Sequence, residues 1–141
     1  MSALAAGPSN NAAVVLSGGV LITGAGLLGA SLGLALRRAG VRVWLRDRDD
    51  DALAEAVRMG AGDLDAGRDR PAAMAVVAVP PASTGAVVTD LLNSGDAEFV
   101  TDVASVKVLP VTEVRARATE PGRFVGGHPM AGREISGPGA A

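Results

Sequence analysis

The sequence predicts an α/β domain: a mainly parallel sheet, doubly wound, with helices on both faces. Three observations predict it. Short apolar runs that end at glycine or proline alternate with longer stretches of helical periodicity. The strand-like runs at 20–23 and 73–79 are apolar almost throughout, as strands buried on both faces are. Apolar residues make up 48% of the 141 residues and glycine occurs 19 times, which fits a packed core with tight turns. The aromatics are Trp44, Phe99 and Phe124 alone, so the core is built from Ala, Val and Leu and lets helices lie close to the sheet.

Each element follows in order. Residues 1–17 are small and polar and are expected to form a flexible leader; residues 18–141 form the domain. Residues 20–23 are a buried strand that stops at Gly24. Residues 27–39 have a helical pattern that closes on Arg37, Arg38 and Gly40, with cations in the last turn and a glycine just beyond. Residues 41–45 alternate and form a second strand. Asp49, Asp50 and Asp51 open a helix to about Met59, the acids lying at its positive end, and Gly60 stops it. Residues 61–71 read as a polar loop. Residues 73–79 are a third strand, ended by Pro80 and Pro81. Ser83 is positioned to cap a helix that runs to about Asn93. Residues 99–102 are a fourth strand. Residues 107–119 form a helix with Pro110 in its first turn, where proline is tolerated. Residues 124–126 are a fifth strand, and 128–141 are a loop.

Composition excludes several classes of function. The net charge is −2, and neither a basic patch nor a row of aromatics is present, so nucleic acid is not an expected partner. The absence of cysteine removes disulfides, thiolate metal sites and a cysteine nucleophile. A single histidine cannot build a multi-histidine metal centre, and no metal is expected. Residues 18–36 carry no charge and approach the length of a membrane span. Six glycines, Thr23 and Ser31 interrupt that stretch, and a glycine turn in its middle would leave backbone groups unpaired in lipid. No membrane segment is expected, no signal peptide is evident, and the cytoplasm is the expected compartment.

The first motif that carries chemistry is Gly24-Ala25-Gly26-Leu27-Leu28-Gly29. Such a loop is weak evidence in a glycine-rich chain, but here it follows a buried strand and opens a helix. Gly24 permits the turn, Gly26 clears the approach of a pyrophosphate, and Gly29 lets the helix sit close to the sheet. Free amides at the helix start, including those of Leu27 and Leu28, and the positive end of the dipole then face the phosphates. Asp47 lies 23 residues after Gly24, at the end of the next strand, where a carboxylate accepts ribose hydroxyls and repels a ribose phosphate. The pattern is that of a Rossmann-type dinucleotide-binding domain, with NAD the expected cofactor. Arg46 and Arg48 keep NADP open, with Arg48 expected along the adenine. Val79 and Pro80 end the third strand and form a wall for apolar parts of the cofactor.

Two later segments share the same sheet edge. One is Thr101-Asp102-Val103-Ala104-Ser105-Val106-Lys107; the other runs from Gly126 through His128 to Glu134. His128 follows two glycines and precedes a proline, so its backbone is extended and stiff. An imidazole there can take a proton from a substrate hydroxyl, or it can be a loop histidine without a task. Ser105 either bonds the same hydroxyl or caps the next helix. Lys107 either neutralises a carboxylate or points to solvent. Glu134 either pairs with a cation at the cleft entrance or is an ordinary surface acid.

Taken together, the glycine loop continued through Ala30, Ser31 and Leu32, the Val79-Pro80-Pro81 wall, the 101–107 segment and Gly127-His128-Pro129-Met130-Ala131-Gly132-Arg133-Glu134-Ile135-Ser136-Gly137 resemble prephenate dehydrogenases, including their arogenate-using relatives. The resemblance covers about residues 19–141. It implies an NAD-dependent oxidoreductase of tyrosine biosynthesis that oxidatively decarboxylates prephenate to 4-hydroxyphenylpyruvate, or acts on arogenate. It implies that His128 polarises the hydroxyl and takes its proton, that Ser105 supports it at the cofactor, and that Glu134 belongs to the pocket entrance. Arg133, Ala104 and Ala30 depart from the family's usual small polar residue and glycines. The resemblance also implies a C-terminal helical domain that forms a homodimer and closes the substrate site. These 141 residues are expected to lack it, and to be the cofactor-binding half, weak or inactive alone; a non-catalytic NAD(P)-binding module is the alternative.

Overall fold

The computed structural model describes residues 14–128 and Pro138. Eleven elements follow one another: β1 (Val20–Thr23), α1 (Leu27–Arg38), β2 (Val43–Arg46), α2 (Asp50–Arg58), β3 (Asp63–Leu64), β4 (Ala72–Val77), α3 (Pro81–Ser94), β5 (Ala97–Asp102), α4 (Val108–Arg117), a 3-10 turn (Pro121–Arg123) and β6 (Phe124–Gly126). The six strands form one sheet in the order β3-β2-β1-β4-β5-β6, and every pairing is parallel. The expected Rossmann-type fold is what the chain adopts.

Alternate residues of the central strands feed two separate cores. Val20, Ile22, Val43, Leu45 and Val76 pack with Leu53, Ala56 and Ala30 beneath α1 and α2. Leu21, Ala75, Val77 and Val100 pack with Val88, Leu91, Leu92 and Val114 beneath α3 and α4. Parallel strands covered on both faces need no polar side, which is why they read as continuous apolar runs. Leu16, within the segment expected to be a flexible leader, packs against the first core.

The long apolar stretch expected not to span a membrane divides into β1, the glycine turn and the 12-residue α1. Among the described residues no helix is long and apolar enough to cross a membrane.

Three expectations are corrected. The 61–71 segment is not wholly loop, because Asp63–Leu64 pairs with Trp44 and Leu45 as β3. Two exposed residues are too few for any periodicity to register. Ser83 does not cap α3: the helix starts earlier, with Pro81 in its first position, and the Ser83 amide donates to the Pro80 carbonyl at 2.9 Å. Proline's fixed φ suits that first position, so two prolines start this helix without a side-chain cap. Ser105 is likewise not the cap of α4, whose capping residue is Lys107. The acids expected at the positive end of α2 stand there, and Asp49 also caps the helix, accepting from the amides of Asp51 at 3.0 Å and Ala52 at 3.1 Å.

After β3 the chain crosses to the other side of β1. The crevice beyond the carboxyl ends of β1 and β4 is therefore the point where the winding reverses, and in open α/β sheets ligands bind there.

Candidate functional site

At that crevice lies a cavity of about 730 Å³, bounded by Thr23, Gly24, Gly26, Leu27 and Leu28 on one side. Asp47 and Arg48 just after β2 and Val79, Pro80 and Ser83 around the start of α3 add to its walls. The sequence places Gly24, Gly26, Leu27, Leu28, Asp47, Arg48, Val79 and Pro80 in one site, and the fold brings them to one cavity.

Local physics explains the loop. Gly24 has φ +105°, a left-handed backbone that side chains rarely adopt, and a Cβ there would lie 2.3 Å from the Ala78 carbonyl oxygen. A Cβ on Gly29 would sit 1.8 Å from the Gly24 carbonyl oxygen, so α1 can pack on its own turn only with glycine at that position. Gly26 is different, since a Cβ there meets nothing within 4 Å. The space above it is open, as a bound phosphate requires. Among the described residues α1 has no side-chain cap, and there is no acid in its first turn. The amides of Leu27 and Leu28 therefore keep their donors for an anion.

Asp47 is half buried and holds the site together. Its Oδ2 accepts from the Ala25 amide at 2.5 Å, and its Oδ1 accepts from the Asp49 amide at 2.8 Å. A carboxylate has about four acceptor positions, so two remain open toward the cavity. Arg48 is exposed at the cavity wall. Arg46 also reaches the wall, but its guanidinium is committed elsewhere. It donates to Asp65 at 2.6 Å and to Asp96 at 3.1 Å. Burial works against the charge on Arg46, yet its bonds to Asp65 and Asp96 outweigh that and raise its pKa.

Sequence reasoning did not find Thr23, Ala52 or Val87, which also line the cavity, nor Pro138 from the far end of the chain. Thr23 Oγ1 is a buried side-chain oxygen without a hydrogen-bond partner among the described residues. An orphaned hydroxyl, an open space above Gly26 and an uncapped helix start together fit a dinucleotide with a diphosphate centre.

Ser105 and His128 stand at the carboxyl ends of β5 and β6, both exposed, and neither lines the 730 Å³ cavity. Lys107 does not point free to solvent: it pairs with the buried Asp102. Glu134 lies outside the described residues.

Residues 32–141 match the family described as prephenate dehydrogenase, nucleotide-binding domain. The chain belongs to this family. A probable prephenate dehydrogenase of Streptomyces niveus is 42% identical over 121 residues, covering 86% of this chain and 33% of the relative. Arogenate dehydrogenase of Synechocystis superposes with a TM-score of 0.72 at 31% identity, over 86% of this chain and 44% of that one. Prephenate dehydrogenase of A. aeolicus, solved with hydroxyphenyl propionate and NAD+, gives 0.70 at 30% identity over the same shares, 86% and 44%. This prephenate dehydrogenase nucleotide-binding domain thus spans about a third of the length of the Streptomyces niveus relative. The matched region includes Asp47, Ser105, His128 and Glu134.

Proposed function

We propose that this domain is the NAD-binding half of a dehydrogenase that oxidatively decarboxylates prephenate, with arogenate as the alternative substrate. The observation that carries the reading is the cavity at the winding reversal, walled by the glycine loop and Asp47, in a chain of this family. A nicotinamide dinucleotide in that cavity would supply the hydride acceptor. The amides of Leu27 and Leu28 bind its pyrophosphate, Asp47 its ribose hydroxyls, and Val79 and Pro80 its apolar surface. NAD is favoured over NADP because the Asp47 carboxylate lines the cavity, where it would repel a ribose phosphate, and Arg46 is neutralised by Asp65 and Asp96. His128 takes the proton of the substrate hydroxyl as carbon dioxide is lost and the ring becomes aromatic. Ser105 donates or accepts a hydrogen bond at the same hydroxyl, and Glu134 belongs to the entrance of the pocket.

The reading is tested in two steps. The 141-residue chain is expected to quench or enhance NADH fluorescence on binding, to bind NADPH more weakly, and to give little or no 4-hydroxyphenylpyruvate from prephenate and NAD+. Joined to the remaining part of the Streptomyces niveus relative, it is expected to turn over. There His128→Asn lowers kcat by about 100-fold or more while NADH affinity stays unchanged. Unchanged turnover in that variant removes His128 from the mechanism, and failure to bind NADH removes the cofactor reading. Running prephenate and arogenate side by side decides between the two substrates.

A further inference from the structure

Asp102 ends β5, and its side chain is completely buried. Placing a carboxylate there is costly unless partners meet it, so its partners define its task. Oδ2 accepts from the Ala104 amide at 3.2 Å and from Lys107 Nζ. Oδ1 accepts from the Gly127 amide at 3.1 Å, 25 residues further along the chain. Ala104 immediately precedes Ser105, and Gly127 immediately precedes His128. One carboxylate thus grips the backbone one residue before each member of the pair that handles the substrate hydroxyl in the function proposed above, on which this inference rests.

We propose that Asp102 is the positioning residue of that pair: it fastens the 103–107 loop through one oxygen and the 127–128 segment through the other, and so fixes the spacing of Ser105 and His128. Lys107 is the internal counter-charge of this clamp and not a contact for substrate.

The surroundings support the assignment. The β5–β6 ladder ends with Asp102 opposite Gly126, so Gly127 is the first residue beyond strand pairing. Without the Asp102 bond nothing in the ladder would hold its amide. A Cβ on Gly127 would lie 2.6 Å from the Asp102 carbonyl oxygen, and one on Gly126 would lie 3.3 Å from Lys107 Cδ. The segment therefore lies flush on the Asp102–Lys107 pair. Ser105 and His128 are exposed, so packing does not place their side chains, and their order has to come from the backbone.

The test uses Asp102→Ala, which removes both acceptor oxygens at once. The double variant Asp102→Ala/Lys107→Met also removes the cation that the first variant leaves unpaired, and so guards against simple misfolding. Amide hydrogen exchange on the 141-residue chain is expected to quicken about tenfold or more at Ala104 and Gly127 in both variants, with added 15N mobility at Ser105 and His128. Amides of β1 and β4 keep their protection, and NADH affinity stays within twofold. In the chain joined to the relative's remaining part, kcat falls and KM for NAD+ does not. The clamp is overturned if only one of the two loops loosens, or if the double variant restores both thermal midpoint and loop protection, which is what a purely structural ion pair would do. A wild-type chain that fails to bind NADH, or a His128→Asn enzyme at full speed, counts against the proposed function; the exchange pattern at Ala104 and Gly127 is read separately from both.

Discussion

At the scale of single residues, the cofactor cavity holds one atom that the described residues leave unsatisfied. Thr23 Oγ1 is buried beside the glycine loop and has no partner among the described residues. Leaving such a group without a partner costs about 1–3 kcal/mol, so a valine of the same shape is expected to match or raise the stability of the free domain. If the hydroxyl meets the dinucleotide, Thr23→Val also weakens NADH about five- to tenfold, which is about 1 kcal/mol. Thermal melting and fluorescence titration measure the two effects, and an unchanged NADH affinity shows that the hydroxyl does not touch the cofactor. Gly24, Gly26, Gly29 and Asp47 were legible in the sequence because each answers a backbone or charge requirement at a known spacing. Thr23 was not, since a threonine at the end of a strand is ordinary. Asp102 was visible only as part of a motif, because its partners at 104, 107 and 127 meet through the fold.

At the scale of elements, the strands and helices were legible wherever a run was long enough to show a period. The segment after α2 was not. Its order comes from charges far apart in sequence. Arg46 at the end of β2 and Arg68 both donate to Asp65, at 2.6 and 2.7 Å, and Arg68 also donates to the Asp96 carbonyl at 2.9 Å. Arg42 and Arg68 flank the Trp44 ring, with guanidinium carbons 5.9 and 5.3 Å from its centroid. No local pattern announces contacts of this kind. Burial pushes the Asp65 carboxyl up, but the hydrogen bonds from Arg68 and Arg46 pull it down further, and its pKa ends below the ordinary value. The sign follows by linkage. A depressed folded pKa contributes stability that is fully present above the unfolded carboxylate pKa of about 3.9, and that is lost as pH falls through the folded value. The thermal midpoint of the wild type is therefore expected to exceed that of Asp65→Asn at neutral pH. The gap should narrow as pH falls below about 4. A gap independent of pH means that Asp65 acts through shape and not through charge.

At the scale of the whole molecule, β1 belongs to both cores at once, and its end becomes the cofactor loop. Leu21 and Ile22 are adjacent and both fully buried, yet they face opposite sides of the sheet. Leu21 packs in the core beneath α3 and α4, away from the glycine turn. Ile22 packs beneath α1, and its Cγ2 lies 3.3 Å from where a Cβ on Gly29 would stand, so it supports the seat of α1 on the loop. Truncating either residue to alanine removes a comparable apolar volume and is expected to cost about 2–5 kcal/mol in denaturant unfolding. Their effects on ligand binding should differ. Ile22→Ala lets the start of α1 shift against the turn and weakens NADH several-fold under conditions where both variants are fully folded. Leu21→Ala leaves NADH affinity near wild type, because the face it loosens does not carry the amides proposed to bind the pyrophosphate. Equal losses of affinity in the two variants mean that binding follows global stability, and that the two cores do not divide the work of holding the fold from that of holding the cofactor loop.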